Sequence, residues 1–168
     1  MRKGDLKPEG IDVESVDPLL TPIASVGRKI FHLFEHEVGM IPPMYFMLHA
    51  VASEDGISQA DLSRLFEVVP TRVTRLAQKM EIDGFIRRER DPKDNRVVRL
   101  YLTPDGREAF EHATGRHRTF SLNLQKALNY SEKKELQRLL TKLLNTLDGL
   151  AEASGGSQSA TDIELGTK

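Results

Sequence analysis

Between Gly84 and Pro104 the apolar period of the chain changes from helical to two and back again. Upstream, Val69, Val73, Leu76 and Met80 recur at steps of four and three, which marks one face of a helix. After Gly84, Ile86, Arg88 and Arg90 alternate with Arg87 and Glu89, and later Val98, Leu100 and Leu102 alternate with Val97, Arg99 and Tyr101. The stretch between, Asp91 to Arg96, contains Pro92 and Asn95 and reads as a turn. Together these predict a β-hairpin with a long tip. Thr103 followed by Pro104 is an N-cap and N1 pair that returns the chain to helix. The fold class that follows is mainly α with one small β-hairpin.

Helical patterns occupy the flanks. Leu19, Leu20, Ile23, Val26, Ile30, Phe31, Phe34 and Val38 predict an amphipathic helix ending near Gly39, and Pro42-Pro43 suits the first turn of a second, through MYFMLHAVA. Ser58 with Asp61 three residues on is an N-cap signature for a short helix burying Ala60, Leu62, Leu65 and Phe66. Glu67-Val68 then turns into a helix from about Pro70 to Asp83, with Gly84 as its C′ glycine. Beyond Thr103 a helix runs to about Asn129, with Phe110, Ala113, His117, Phe120, Leu124 and Leu128 on one stripe. Ser131 caps a last helix whose Leu136, Leu140, Leu143, Leu147 and Leu150, widened by Leu139 and Leu144, have the spacing of a coiled-coil seam. That stripe predicts a partner helix. The resulting division is a flexible arm over 1–18, N-terminal helices over 19–55, a helix–helix–hairpin unit over 56–103, C-terminal helices over 104–152 and a disordered tail over 153–168.

A chain of 168 residues suits one domain with helical extensions and can bury a core without covalent staples. The absence of cysteine excludes disulfides, thiolate zinc sites and iron–sulfur clusters on this chain. No apolar run approaches the roughly 20 residues of a membrane helix, and MRKGDLKPEG lacks a secretory apolar core, so a soluble, cytoplasmic protein is expected. The formal net charge of −1 hides an asymmetry: Gly56 to Leu102 carries a net +3 and the remainder −4. Positive charge gathered in the middle is a candidate footprint for a polyanion partner, although three net charges on some fifty residues are commonly just a solvated surface.

In order, the middle reads helix, turn, amphipathic helix with a polar face of Thr71, Arg72, Thr74, Arg75, Gln78 and Lys79, glycine, then a hairpin with a basic tip. This is the layout of a winged helix-turn-helix, in which the second helix enters the DNA major groove and the wing follows the backbone or minor groove. Arginine pairs bidentately with guanine, and a threonine methyl can touch thymine. Lysine and arginine at the tip can neutralise phosphates. A charged helix face alone is usually only solvated; helix and basic hairpin together favour double-stranded DNA over the alternative, a winged helix used purely for protein contacts.

From Gly56 to Gly106 the sequence resembles the MarR-type transcriptional regulators. The likeness rests on the D-x-R wing pattern at Asp94, Asn95 and Arg96, the L-T-x-x-G pattern at Leu102, Thr103 and Gly106, and T-R-L at Thr74 to Leu76. It implies a homodimer joined by its N- and C-terminal helices that binds a pseudo-palindromic operator, usually as a repressor, and releases it to a small aromatic or phenolic effector. Pro70, Thr71, Arg72, Thr74 and Arg75 fall on the recognition helix. Lys93 lies at the wing tip, Arg96 falls on the arginine that enters the minor groove, and Asp94 on the acid that would hold it. The turn Glu67-Val68 departs from the family in lacking the glycine often found there, the polar N-terminal arm is long, and Pro42-Pro43 is an unusual helix start.

His32-Leu33-Phe34-Glu35-His36 matches H-x-x-E-H, an inverted zinc-protease motif, without an obvious third ligand. His32, Glu35, His36, Glu37, His49, His112 and His117 could gather a regulatory zinc-type metal in a dimer, but a helix-borne histidine is more often surface polarity. No nucleophile elbow, phosphate-cradling loop or dinucleotide fingerprint is present, so no enzyme and no cofactor are expected. For an effector the candidates are His32, His36, Met44, Tyr45 and His49, with the competing reading that Met44, Met47, Phe46 and Leu48 are mostly core.

Overall fold

The computed structural model describes residues 17–153. The arm, but for its last two residues, and the tail beyond Ala153 lie outside them. The elements run α1 (Leu20–Val38), α2 (Pro42–Ser53), β1 (Ile57–Ser58), α3 (Gln59–Leu65), α4 (Pro70–Ile82), β2 (Ile86–Arg90), β3 (Val98–Leu102), α5 (Pro104–Gln125) and α6 (Tyr130–Ala153). No helix among the described residues is long and apolar enough to cross a membrane.

Local signals produce most of these boundaries. Gly39 closes α1 at φ 87°, and Gly84 follows α4 at φ 81°, both in the left-handed region that glycine enters without a Cβ penalty. The Ser58 hydroxyl accepts the Asp61 amide at 3.0 Å and opens α3. Thr103 opens α5 by accepting the Gly106 amide at 2.9 Å, and its hydroxyl also donates to the Gly84 carbonyl at 2.6 Å. Gly106 is required there for a second reason: a Cβ on it would lie 1.8 Å from the Phe85 carbonyl oxygen.

The hairpin pairs Ile86 with Leu102 through Arg90 with Val98, antiparallel. A third strand, absent from the sequence reading, is β1: Ile57 pairs with Leu100 and Ser58 with Arg99, giving the order β1-β3-β2. Two residues are too few for an alternation to show. Ser58 is thus both a strand residue and a helix cap.

The main core joins Met47, Leu48 and Val51 of α2, Leu62 of α3, Val73, Ala77 and Met80 of α4, and Ile57, Ile86 and Leu100 of the sheet. The predicted α4 face is therefore right at Val73 and Met80, with Ala77 between them, Leu76 half-buried and Val69 exposed. α3 differs more. Leu62 is fully buried, but Ala60 and Leu65 are exposed and Phe66 is half-buried, because a helix of under two turns presents one residue to the core. A second cluster of Phe34, Val38, Tyr45 and Ala113 ties α1 and α2 to α5, and Arg116 of α5 donates to the His36 and Glu37 carbonyls at the end of α1.

Two predicted boundaries shift at the C-terminal side. α5 ends at Gln125 rather than near Asn129, and Asn129, not Ser131, caps α6. Asn129 Oδ1 accepts the Glu132 amide at 3.1 Å while Glu132 Oε2 accepts the Asn129 amide at 2.8 Å, a reciprocal capping box. Ser131 has Lys134 three residues on and cannot close that exchange.

Candidate nucleic-acid interface

α3 and α4 form the helix-turn-helix. Their turn is held by Ser63, whose hydroxyl donates to the Val68 carbonyl at 2.5 Å. Glu67 sits in it at φ 52°, a left-handed conformation that glycine enters most readily, at the turn noted above for lacking one. Pro70 at the first turn starts α4 after an extended Val69. Pro70, Thr71, Arg72 and Arg75 are exposed, away from the buried Val73, Ala77 and Met80. Thr74 is placed differently: it is half-buried and donates to Gln59 Oε1 at 3.2 Å, bracing α4 on α3.

The cations of the hairpin divide by what holds them. Arg87 pairs with Glu89 and lies 4.2 Å over the Tyr101 ring. Arg88 Nε donates to Glu81 at 2.7 Å, joining β2 to α4, and Arg90 reaches the Asn95 carbonyl. Arg99 donates to Asp91 at 2.5 Å and to the Gly56 carbonyl at 2.8 Å. Lys93 and Arg96 are exposed at the tip, and among the described residues neither side chain has a partner.

Asp91 organises that tip. Only 8% exposed, it also accepts the Lys93 amide at 2.7 Å and the Asp94 amide at 3.2 Å. The Arg99 guanidinium and these amides hold its carboxyl below the ordinary carboxylate range. Asp94 accepts the Arg96 backbone amide at 3.0 Å, so it shapes the chain beneath Arg96 rather than gripping the guanidinium. Sequence reasoning passed over Asp91, although an aspartate two residues before a turn amide is a recognised Asx signal. Its bond to Arg99 carried no such signal, nor did the reach from Arg99 to Gly56 across 43 positions.

Of the five effector candidates, Tyr45 and His49 lie together on α2 with ring centroids 6.3 Å apart, while His32 and His36 stand on α1. Met44 and Tyr45 are core, 7% and 3% exposed, with the Tyr45 ring stacked on His117 at 4.7 Å. His32 and His36 are exposed on α1, where His36 meets Glu37 at 3.1 Å, and His49 is exposed on α2. Met47 and Leu48 are core as well, whereas Phe46 is 47% exposed. No group of three metal-ligating side chains is gathered among the described residues.

The sequence profile of the MarR family matches residues 42–98, from α2 through the wing. An HTH-type transcriptional regulator of Clostridium symbiosum, BilQ, is 33% identical over 103 residues, spanning 61% of this chain and 71% of the relative. The chain belongs to the MarR family. This MarR-family chain is also 26% identical over 132 residues to YdgJ, an HTH-type regulator of Bacillus subtilis, covering 79% and 80% of the two. Its fold is that of Escherichia coli MarR, solved as a mutant in complex with operator DNA, at a TM-score of 0.71 over 80% of this chain and 99% of the other, with 22% identity. These relatives are transcriptional regulators, not enzymes, as the sequence reading expected of this one.

Proposed function

We propose that this MarR-family regulator binds a pseudo-palindromic DNA operator as a homodimer, with α4 in the major groove and Arg96 in the minor groove, and represses transcription until a small aromatic or phenolic effector releases it. The observation that carries the reading is the sorting of charge on the hairpin: four arginines are committed to the protein, and Lys93 and Arg96 at the tip are left for phosphate or groove. The DNA-bound relative of the same fold supports it.

The homodimer is supported by α6, of which no described side chain is buried within its own chain although Leu136, Leu139, Leu140, Leu144, Leu147 and Leu150 stand 42–59% exposed. Leu19, Leu20, Ile23 and Val26 of the N-terminal end are equally uncovered. So long an apolar stripe is stable in water only against another. Two-fold pairing would set two α4 helices about one DNA turn, roughly 34 Å, apart, so an effector that changes their spacing ends binding without touching DNA.

The test is to select fragments of the source genome on the purified chain and titrate the enriched duplex at several salt concentrations. Affinity falling steeply with salt is expected. No binding to any duplex would favour a winged helix devoted to protein contacts.

A further inference from the structure

The outer face of α2 and the end of α3 enclose an open groove of about 290 Å³ that the DNA-binding reading leaves unused. Its walls include Phe46 and His49 of α2 and Leu65 and Phe66 at the end of α3, with Ser53 and Glu54 at one end. Phe46 is 47% and Leu65 60% exposed, so apolar surface is held open to water beside the core. The lining contains no lysine or arginine, and its one carboxylate, Glu54, has no hydrogen bond or ion pair from its side chain among the described residues. Asp55 follows it, exposed, and adds to the negative field.

We propose that this groove is a binding site for a small aromatic cation, with the ring against Phe46, Leu65 and Phe66 and the positive group at Glu54. An aromatic carboxylate of the same size would meet Glu54 with like charge and no lysine or arginine in the lining to compensate, whereas a cation gains the carboxylate while its ring covers the exposed apolar wall. The inference deepens the effector reading above by naming the ligand's charge. It depends on DNA binding only for its consequence.

The groove also sits where a ligand could be felt at both DNA-facing elements. Phe66 is followed by Glu67 in its left-handed turn and then by α4. Glu54 is followed, two residues on, by Gly56, whose carbonyl takes Arg99, which in turn holds Asp91 at the base of the wing tip. A wedge between α2 and α3 therefore pushes on the recognition helix through one wall and on the wing through the other end.

The experiment titrates the full chain calorimetrically at pH 8 and low salt with benzyltrimethylammonium chloride and, separately, sodium phenylacetate. The cation is expected to bind once per chain and more tightly than the anion. E54Q should weaken the cation roughly fivefold, the scale of one exposed ion pair. S53W, which fills the groove from an exposed position, should abolish cation binding while keeping the wild-type circular dichroism and melting temperature. Phenylacetate binding as well as the cation, or a cation isotherm unmoved by both E54Q and S53W, would overturn the assignment. So would S53W converting a wild-type dimer to monomer in sedimentation, since a second copy would then be the occupant. Anisotropy of a labelled genome-selected duplex is read separately: a chain that binds no duplex refutes the DNA reading, and the isotherms still decide the groove.

Discussion

Asp91 and Arg99 meet at 2.5 Å across the hairpin, and the same arginine reaches the Gly56 carbonyl at 2.8 Å, so one guanidinium joins the wing tip to the turn between α2 and β1. With Asp91 also accepting two tip amides, the position of Lys93 and Arg96 is set from below. The acid next to Arg96 in sequence plays the smaller part, holding one backbone amide.

That arrangement has a pH dependence of definite sign. The folded carboxyl of Asp91 lies below its unfolded value, so its stabilisation is complete above the ordinary aspartate range near about 4 and is lost as pH falls through the lowered folded value. D91N should therefore be less stable than the wild type at pH 7, and the gap should close progressively below about pH 4. Urea unfolding of both proteins across pH 2–7 measures it; a gap independent of pH would refute the charged contact.

Arg96→Ala should weaken binding to the selected duplex by about 1–3 kcal/mol per site, the usual scale of a good groove contact, and lower the salt slope by about 1. Fluorescence anisotropy at several salt concentrations reads both. Arg90→Ala, which removes a cation already bonded to Asn95, should cost less.

Gly106→Ala should destabilise by roughly 2 kcal/mol or more, since the new methyl would overlap the Phe85 carbonyl and only backbone movement can relieve it. Gly115, with nothing within 4 Å of an added Cβ, is the control: alanine there should stabilise the helix by a few tenths to about 1 kcal/mol. Thermal melts separate the two.

Glu67→Gly tests the turn. A non-glycine residue at φ 52° carries about 1 kcal/mol of strain, which glycine relieves, while its looser unfolded chain takes back a part. The melting temperature should stay level or rise; a clear fall would mean that the Glu67 side chain contributes to the fold.

Truncation after Tyr130 removes nearly all of α6 and should leave a monomer in sedimentation equilibrium, where the full chain is expected to sediment as the proposed dimer. A truncated chain that still sediments as a dimer would place the interface elsewhere.

The helix–helix–hairpin order, the caps at Ser58 and Thr103 and the glycine stops at Gly39 and Gly84 were legible because each rests on contacts within a few residues. Periodicity and capping are local, and a chain read in order displays them. The motif residues Leu102, Thr103 and Gly106 were visible as a pattern too, although the reason for Gly106 was not: it answers to the Phe85 carbonyl, which the fold brings against it. Tertiary structure alone decided the rest. It made Ile57-Ser58 a strand by pairing it with β3, exposed Ala60 and Leu65 by turning α3 on Leu62, drew Thr74 inward to Gln59, and sorted the arginines into anchors and free cations. Charge count along a sequence cannot make that last division, because whether an arginine is available depends on which carboxylate or carbonyl, up to 43 residues away, folding puts within 3 Å of it.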